Sequence, residues 1–278
     1  MSTTFTLALV QTNSGNDPAA NGDMIVARIK EAADKGADFV MFPEVVTLVE
    51  TGAKNVAPKV TGYEADANLP RFKAAARDNG VWVLIGSMVV EHETAERKFA
   101  NRAVLISDKG EVVTTYDKIH MFDVDLENGE SYRESKNYEP GTQAVVADTP
   151  WGKLGLSICY DMRFPYLYRE LAKAGAVMLA APASFTRPTG RAHWHVLLRA
   201  RAIENGCFVF APAQTGVHMD GRKTYGHSLV VDPWGEVIAD GGEEPGIVLA
   251  EIDLARVDEA RGKVPSLRHD RAFDSPAG

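Results

Sequence analysis

The sequence is short of cysteine, has no excess of basic residues and contains no long hydrophobic run. Its 278 residues include two cysteines, too few for a disulfide-dense secreted scaffold. Acidic residues outnumber basic ones by 38 to 30, and the net charge of −8 argues against a nucleic-acid-binding protein, which would carry basic stripes. No apolar run approaches the roughly 20 residues that span a bilayer. We therefore expect a protein that binds neither nucleic acid nor membranes.

The N-terminus lacks the features of a secretion signal. Residues 1–10 have no basic segment and only a short apolar stretch, so they are predicted to form a first strand. Without such a signal, a reducing cytoplasm is the expected location, and a disulfide between the two thiols is not expected there. The presence of Cys159 and Cys207 then needs another explanation.

Several familiar motifs are missing as well. The sequence contains no G-x-G-x-x-G, no G-x-x-x-x-G-K-[ST], no H-E-x-x-H and no G-x-S-x-G pattern. His193 and His195 suggest a metal-binding pair, but they lie two positions apart on a predicted helix, so their side chains should point to different faces. We therefore expect the two histidines to be structural or to lie on the substrate side, and we expect no metal there.

The sequence does contain an alternation of strand-like and helix-like segments. Apolar and β-branched runs predict strands at residues 5–10, 39–42, 81–90, 103–106, 111–116, 154–159, 177–181, 207–211, 228–231 and 247–252. Segments with a 3.6-residue period predict helices at residues 19–35, 69–79, 167–174 and 192–204, and a last short helix after residue 253. Because some strands follow each other through turns with no helix between them, the pattern predicts an α/β fold with two mixed sheets.

The chain shows no linker and no internal repeat. We expect one domain over residues 1–270 and a loose C-terminal tail over residues 271–278. The stretch 121–141 carries no clear strand or helix signal. A loop of that length in a compact domain is usually functional, so we expect it to contribute to a site.

Cys159 follows the apolar run 155–158 and precedes a turn, so it should lie at the C-terminal end of a strand. Ligands of α/β proteins bind at such strand ends, and the N–H groups of the turn could stabilise a thiolate or an oxyanion. A free cysteine is also often a small buried apolar side chain, and position alone slightly favours that explanation. For Cys207, which lies in the apolar run 207–210, packing is the expected role.

Three further charged residues stand near predicted strands. Glu44 and Lys118 each follow a strand-like run, and Glu134 lies in the long loop. Taken singly, they would be a first-turn helix acid, a solvated lysine and a surface acid. Together with Cys159 they suggest a site, because a thiol with a pKa near 8.5 needs a base or a cation nearby to act as a nucleophile at neutral pH.

Three sequence blocks occur in a fixed order: FPE at residues 42–44, YDKIH at residues 116–120 and GLSICYD at residues 155–161. Together they resemble the carbon–nitrogen hydrolase (nitrilase) superfamily, and the likeness extends over residues 5–269. The resemblance implies a four-layer αββα sandwich with two mixed β-sheets. It also implies homodimers or higher homo-oligomers that stack sandwiches into longer layers.

For the site, the resemblance implies a catalytic set of Glu44, Lys118 and Cys159, with Glu134 as a fourth member. Cys159 would attack the amide carbon as a thiolate, Glu44 would carry the proton, and Lys118 would face the oxyanion. Glu134 would orient Lys118 or the water. The substrate would be a small linear amide and not a peptide bond of a protein, and no cofactor is required.

Later blocks narrow the resemblance to amidases that act on deaminated glutathione and to the closely similar ω-amidases. These blocks are residues 120–125, 134–135, 159–165, 192–194, 197–204, 225–228 and 231–235. Residues 196–204 and 222–228 look more like the deaminated-glutathione branch. One departure is PASF at residues 182–185, where these relatives commonly have proline, a small residue, alanine and phenylalanine.

Such a substrate carries a 2-oxo acid acyl group, so its pocket needs a cation or hydroxyl groups for the carboxylate. The candidates for substrate binding are Tyr160, Arg163, Phe185, Thr186 and Arg187, with Phe185 in the segment expected to line the pocket. For each arginine, a surface or interface salt bridge is an alternative role.

Other functions stay open at this point. Within the superfamily they are an ω-amidase acting on 2-oxoglutaramate, a carbamoylase, an aliphatic amidase or a nitrilase. A binding or scaffold protein with an inert site is a non-enzymatic alternative. The presence of Glu44, Lys118 and Cys159 disfavours that last alternative.

Overall fold

The structure is a computed structural model that describes residues 3–95, 97–126, 129 and 131–276. Its strands are β1 (Thr4–Gln11), β2 (Phe39–Met41), β3 (Trp82–Glu91), β4 (Phe99–Ile106), β5 (Val112–Asp117), β6 (Asp123–Asp125), β7 (Ser131–Arg133), β8 (Val146–Asp148), β9 (Lys153–Gly155), β10 (Met178–Ala180), β11 (Phe208–Ala211), β12 (Thr215–Val217), β13 (Lys223–Tyr225), β14 (Leu229–Val231), β15 (Val237–Asp240) and β16 (Gly246–Asp253). Its α-helices are α1 (Pro18–Asp34), α2 (Ala53–Val56), α3 (Leu69–Asn79), α4 (Pro165–Lys173), α5 (Arg187–Asn205) and α6 (Ala255–Lys263). Among the described residues, no helix combines the length and the apolar character that crossing a membrane requires.

Two mixed sheets of six strands form the centre of the fold. The first has the order β16-β1-β2-β3-β4-β5, in which β1, β2 and β3 are parallel and the remaining pairs are antiparallel. The second has the order β15-β14-β11-β10-β9-β8, with β9, β10 and β11 parallel. The predicted α/β fold with two mixed sheets is therefore confirmed.

Helices α1 and α3 cover the outer face of the first sheet. Ile25 and Ile29 of α1 and Phe72 of α3 share one buried cluster with Val40 and Val83 of the sheet. Full burial of one such side chain contributes about 1.5–3 kcal/mol, so this face holds the two helices in place.

Helices α4 and α5 cover the outer face of the second sheet, and the inner faces of the two sheets meet. Tyr168 of α4, Trp194 of α5 and Phe210 of β11 belong to the same buried cluster as Leu9 and Met41 of the first sheet. The layers therefore run helix, sheet, sheet, helix, which is the predicted four-layer αββα sandwich.

Local sequence signals account for the predicted helix boundaries. Asp17 caps α1 by accepting the N–H of Ala19 at 2.9 Å, and Pro18 occupies the first turn, where its missing N–H costs nothing. α3 covers the predicted residues, and Gly80 ends it in the left-handed conformation with φ of 63°.

The structure differs from the prediction at three places that matter for the site. The stretch 121–141 is not a plain loop, because β6 and β7 pair as a hairpin and Glu134–Lys136 forms a 3₁₀ turn. The predicted strand 154–159 ends at Gly155, and Cys159 opens a 3₁₀ turn instead. α5 begins at Arg187 and not at residue 192, with a proline in its first turn.

The strands that the pattern missed are short. β6, β7, β8, β12 and β13 have three residues each and β15 has four, too few to show a period. Residues 271–276 of the predicted tail carry neither helix nor strand, and residues 277–278 lie outside the described ranges. The single domain over residues 1–270 stays a prediction.

Candidate active site

Glu44 is a buried carboxylate just beyond the end of β2. The chain leaves the sheet through Phe42 and Pro43, and the Glu44 side chain is 6% exposed. The next residue, Val45, has φ of 48°, and its N–H donates to Ser87 Oγ at 2.7 Å. A β-branched residue in the left-handed region is strained, and surrounding contacts hold such strain at functional sites.

Both oxygens of the Glu44 carboxylate accept hydrogen bonds. Oε1 accepts from Asn101 Nδ2 at 3.0 Å and from Lys118 Nζ at 2.8 Å. Oε2 accepts from the backbone N–H of Ser184 at 2.8 Å. Because Ser184 follows β10 of the second sheet while Asn101 lies on β4 of the first, the carboxylate bridges the two sheets.

Lys118 is a buried ammonium between two carboxylates. Its Nζ lies 2.8 Å from Glu44 Oε1 and 2.8 Å from Glu134 Oε2, and its side chain is 2% exposed. The backbone N–H of Lys118 donates to the carbonyl oxygen of Asn101 at 3.0 Å, which continues the pairing of β5 with β4. A buried charge is tolerated in such a place because it is paired on both sides.

The β6–β7 hairpin delivers Glu134. This residue directly follows β7, and its Oε2 accepts the N–H of Phe122, just before β6, at 2.7 Å. The hairpin therefore fixes the Glu134 carboxylate against Lys118. The predicted functional stretch 121–141 contributes to the site through this paired structure.

Cys159 lies at a tight elbow. Its φ is 48°, its N–H donates to the carbonyl oxygen of Pro182 at 2.9 Å, and the residue is 7% exposed. As a non-glycine residue in the left-handed region it is a backbone outlier, of the kind that clusters at active sites.

The buried Asp161 carboxylate holds this elbow. Its Oδ2 accepts the N–H of Ile158 at 2.8 Å and the hydroxyl of Tyr116 at 2.7 Å, and its Oδ1 accepts the N–H of His120 at 3.0 Å. Tyr116 belongs to β5, so Asp161 ties the turn that carries Cys159 to the first sheet.

Glu44 and Lys118 form a charged pair. Burial opposes ionisation of Glu44, but the Lys118 ammonium and its hydrogen bond outweigh burial and lower the pKa of the carboxyl. Burial likewise opposes the charged form of Lys118, but the carboxylates of Glu134 and Glu44 hold its pKa well above the ordinary lysine value. At neutral pH Glu44 is therefore a carboxylate and Lys118 an ammonium.

Cys159 is a neutral thiol at rest. Burial raises the pKa of this thiol well above its ordinary value, and the nearby Glu44 carboxylate raises it further. Lys118 and the N–H of Ser184 act in the opposite direction without overcoming these effects. Because Glu44 acts on the pKa of this thiol and lines the same cavity, the arrangement places a nucleophile beside its base.

These side chains line one cavity of about 240 Å³. The sequence-predicted residues in its lining are Glu44, Lys118, Glu134, Cys159, Tyr160, Phe185 and Thr186. Arg163 and Arg187 do not line it. Arg163 instead lies over the rings of Tyr160 and Phe185, at 5.7 and 5.4 Å from their centroids, where it supports the cavity wall.

Arg222 lines the cavity and was not singled out from the sequence. Its Nε is buried without a hydrogen-bond partner among the described residues, and its Nη2 lies 3.6 Å from Asp220 Oδ2. Arg222 opens the block RKTYGHS at residues 222–228, but no local pattern indicates that its side chain reaches the cavity.

Asn101 and Ser184 are further cavity residues that the site prediction omitted. Asn101 Oδ1 and Ser184 Oγ are buried without a hydrogen-bond partner among the described residues. Asn101 stands beside Arg102 in a strand whose other residues are apolar, which is a weak local signal, and the PASF departure was the signal for Ser184. Both atoms are free to bond a polar substrate.

Cys207, the second thiol, does not line this cavity. Its sulfur lies 3.0 Å from Arg261 Nη2, and burial raises its pKa to about 11 in spite of that guanidinium. Cys207 has no carboxylate base among the groups that act on its pKa and lies outside the cavity, which agrees with the packing role expected for it.

The two histidines of α5 have different partners, as their spacing predicts. His193 Nδ1 lies 3.3 Å from Arg163 Nη2, and His195 Nε2 lies 3.1 Å from Asp240 Oδ2. Within the described ranges, the group whose donor atoms could hold a metal consists of His195, His227 and Asp240.

The sequence model of one protein family, described as carbon-nitrogen hydrolase, matches residues 6–262. A curated relative, the deaminated glutathione amidase of Yersinia enterocolitica, is 38% identical over 270 residues, which cover 97% of this chain and 94% of the relative.

Two solved structures resemble the fold closely. The nitrilase and fragile histidine triad fusion protein of Caenorhabditis elegans has a TM-score of 0.88 at 36% identity, covering 98% of this chain and 66% of that chain, so this chain spans about two thirds of it. A mutant amidase from Nesterenkonia sp. AN1, with the acetamide moiety of fluoroacetamide added covalently at its active-site cysteine, has a TM-score of 0.81 at 25% identity, covering 96% of this chain and 94% of that chain. The range that the family model matches includes Glu44, Lys118, Glu134 and Cys159.

Proposed function

This chain belongs to the carbon–nitrogen hydrolase family and is an amidase, and we propose that it hydrolyses deaminated glutathione through a thioester at Cys159. One observation carries the mechanism: the buried thiol of Cys159 lines the same cavity as the Glu44 carboxylate, which is paired with Lys118 and raises the pKa of the thiol. The relatives described as deaminated glutathione amidases support the choice of substrate.

In the proposed acylation, the sulfur of Cys159 attacks the amide carbon while its proton passes to Glu44. The Lys118 ammonium and the backbone N–H of Tyr160 stabilise the oxyanion that forms. Glu44 then gives the proton to the amide nitrogen as the C–N bond breaks. The amine leaves, and the acyl group remains on sulfur as a thioester.

In the proposed deacylation, water attacks the thioester carbon and Glu44 takes its proton. The C–S bond breaks, the 2-oxo acid leaves, and the proton returns to the Cys159 sulfur. Glu134 acts as a positioning residue, because its two oxygens hold Lys118 Nζ at 3.0 and 2.8 Å.

Arg222 is the proposed receptor for the carboxylate of the acyl group. Its Nε has no hydrogen-bond partner among the described residues, although its Nη2 lies 3.6 Å from Asp220 Oδ2. A guanidinium binds a carboxylate with directional, charge-assisted bonds. This assignment replaces Arg163 and Arg187, which lie outside the cavity lining. Tyr160, Phe185 and Thr186 remain proposed substrate contacts, because they line the cavity.

Product analysis tests the proposed substrate. Deaminated glutathione should release 2-oxoglutarate without ammonia, whereas 2-oxoglutaramate, which has the same acyl group, would release 2-oxoglutarate and ammonia together. We expect kcat/KM to be higher for deaminated glutathione. Higher kcat/KM for 2-oxoglutaramate, or release of carbon dioxide from carbamoyl compounds, would overturn this substrate assignment.

The two cysteines provide a matched pair of variants for the proposed nucleophile. C159A should lose at least about 1000-fold in kcat, because no other thiol reaches the substrate. C207A should keep a rate close to that of the wild type, because its thiol lies outside the cavity. Equal losses in the two variants would show that the wrong thiol was chosen.

We also propose that the protein forms a homo-oligomer and works in a reducing cytoplasm. Three apolar side chains on the adjacent outer helices are exposed: Tyr166 of α4 at 62%, and Val196 and Ile203 of α5 at 66% and 52%. Such a surface is suited to burial against a second copy. A reducing compartment keeps the proposed nucleophile as a free thiol.

A further inference from the structure

Three side chains of metal-ligating type meet where α5, β15 and the turn before β14 come together. His195 lies on α5, Asp240 ends β15, and His227 lies shortly before β14. His195 Nε2 is 3.1 Å from Asp240 Oδ2, and His227 Nδ1 is 2.9 Å from Asp240 Oδ1. One donor atom from each of the three lies within 4.8 Å of the others, and none of the three residues lines the proposed active site.

The His227 ring is held in place by its surroundings. The backbone of His227 is in the left-handed region with φ of 56°, and its carbonyl oxygen accepts the indole N–H of Trp194 at 2.7 Å. The Tyr225 ring stacks on the imidazole with centroids 4.4 Å apart and planes inclined by 26°. Nδ1 of His227 therefore points at Asp240 without help from a ligand.

Asp240 and His195 complete the group. Asp240 Oδ1 accepts the N–H of Gly242 at 2.9 Å, and the His195 ring lies with its centroid 5.3 Å from that of His227. Burial opposes ionisation of Asp240, but the Gly242 N–H and the two imidazoles outweigh it and lower the pKa of the carboxyl. The cluster thus presents an ionised carboxylate between two imidazoles.

We propose that His195, His227 and Asp240 form a binding site for a divalent transition-metal ion of the zinc type. Two imidazole nitrogens and one carboxylate oxygen are a recurrent set of three protein ligands for zinc. Tetrahedral ligands at zinc–nitrogen and zinc–oxygen distances lie about 3.3 Å from one another. His195 Nε2 and His227 Nδ1 each lie 3.1 Å from Asp240 Oδ2, close to that spacing, so small side-chain shifts would admit the ion.

The site leaves room for a water molecule as the fourth ligand. The side chains of His195, His227 and Asp240 are 34%, 21% and 34% exposed. Without a metal, each imidazole must donate an N–H to the same carboxylate. An ion bound by the three side chains would take the place of these two protons, which would move to the other nitrogen of each ring. A metal site therefore predicts saturable binding of the ion, which a plain hydrogen-bonded network does not.

Titration of the tag-free, chelator-treated protein with Zn²⁺ tests the proposal by calorimetry. We expect one Zn²⁺ per chain, bound at least about 10-fold more weakly by H195A and by D240N, because losing even an outer partner of a metal ligand costs that much. Co²⁺ in place of Zn²⁺ should give the intense visible bands of a tetrahedral complex. The wild-type spectrum and its loss in both variants provide a readout independent of enzymatic activity.

Two control variants keep the test sharp. H193A changes the other histidine of α5, which contacts Arg163, and it should bind Zn²⁺ as the wild type does. C159A removes the cavity thiol and should also keep the binding. Alanine is a good helix former, so H195A is expected to fold, which circular dichroism checks. Absent saturable binding, unchanged binding in H195A and D240N, or its loss in H193A or C159A would each overturn the proposal.

Discussion

The effect of the Glu44 carboxylate on the Cys159 thiol is the smallest feature on which the proposed chemistry depends. Burial, and after it the charge of this carboxylate, raise the pKa of Cys159 and so keep the thiol protonated at rest. The same carboxylate is the acceptor when sulfur attacks. Lys118 has the opposite effect on the thiol and balances the charge of Glu44. The base and the cation therefore act in opposite directions on the pKa of the nucleophile.

Replacing Glu44 by glutamine should separate the acidity of the thiol from turnover. Amide hydrolysis by E44Q should fall by about 100- to 10,000-fold, because the general base is lost. The pKa of Cys159 should fall as well, because the carboxylate that raises it is gone while Lys118 remains. More thiolate is then present at pH 8, so alkylation of Cys159 by iodoacetamide should be faster in E44Q than in the wild type.

The control for this prediction is E50Q. Glu50 lines the same cavity, but its carboxylate pairs with Lys59. This variant should leave the pH dependence of Cys159 alkylation unchanged. If E44Q is alkylated more slowly than the wild type over the whole pH range, the assigned effect of Glu44 on the thiol is wrong.

Arg222 leads to a second prediction about a single residue. R222A should raise KM for deaminated glutathione by about 10- to 100-fold with a smaller change in kcat, because a hydrogen bond to a charged group contributes about 1.5–3 kcal/mol. Hydrolysis of an uncharged amide such as propionamide should change little. R187A is the matched control, since Arg187 lies outside the cavity lining. A similar rise in KM in R187A, or for propionamide in R222A, would argue against a carboxylate receptor at Arg222.

The ends of secondary-structure elements, not their interiors, supply the proposed catalytic groups. Glu44 and Lys118 follow β2 and β5, Glu134 follows a hairpin, and Cys159 stands on an elbow beyond β9. Gly86 of β3 lets these ends come together, because a Cβ there would lie 1.9 Å from the carbonyl oxygen of Phe42. The sequence pattern located three of these ends but not the hairpin, whose three-residue strands show no period.

Asp161 provides a prediction for the elbow as an element. D161N should lower the free energy of unfolding by about 1–3 kcal/mol, because the neutral amide serves the N–H groups of Ile158 and His120 and the Tyr116 hydroxyl less well. kcat should fall too, since the turn positions Cys159. Urea unfolding and steady-state kinetics measure the two effects. D258N on the exposed side of α6 is the control, and its free energy of unfolding should stay within about 0.5 kcal/mol of the wild-type value. An equal loss of stability in D258N would contradict a special role for Asp161.

At the scale of the whole molecule, the site exists because two sheets dock face to face. Glu44 and Lys118 come from the first sheet, and Cys159 and Ser184 come from the second. The hydrogen bond from the Ser184 N–H to Glu44 joins residues 140 positions apart in the chain. The charged and reactive groups therefore meet only in the folded sandwich.

The outer apolar face of α4 and α5 leads to a prediction about assembly. Val196 and Ile203 lie two helical turns apart on α5, so they share a face. The double variant V196D/I203D should shift the wild-type oligomer to smaller species, because aspartates would be buried at the interface. Light scattering coupled to size-exclusion chromatography measures the mass, and V217D, at an exposed side chain that ends β12, serves as the control. A monomeric wild type, or dissociation of V217D as well, would contradict this interface.

The sequence alone carries the information that is local. Hydrophobic periodicity and terminal glycines located α1, α3 and the long strands, because helix and strand signals depend on neighbours along the chain. Three short sequence blocks singled out Glu44, Lys118 and Cys159. Tertiary structure decided what depends on distant neighbours. It brought Arg222 into the cavity in place of Arg163 and Arg187, and it joined His195 to His227 and Asp240. Such contacts arise when whole layers pack, and no local pattern records which side chains will then face each other.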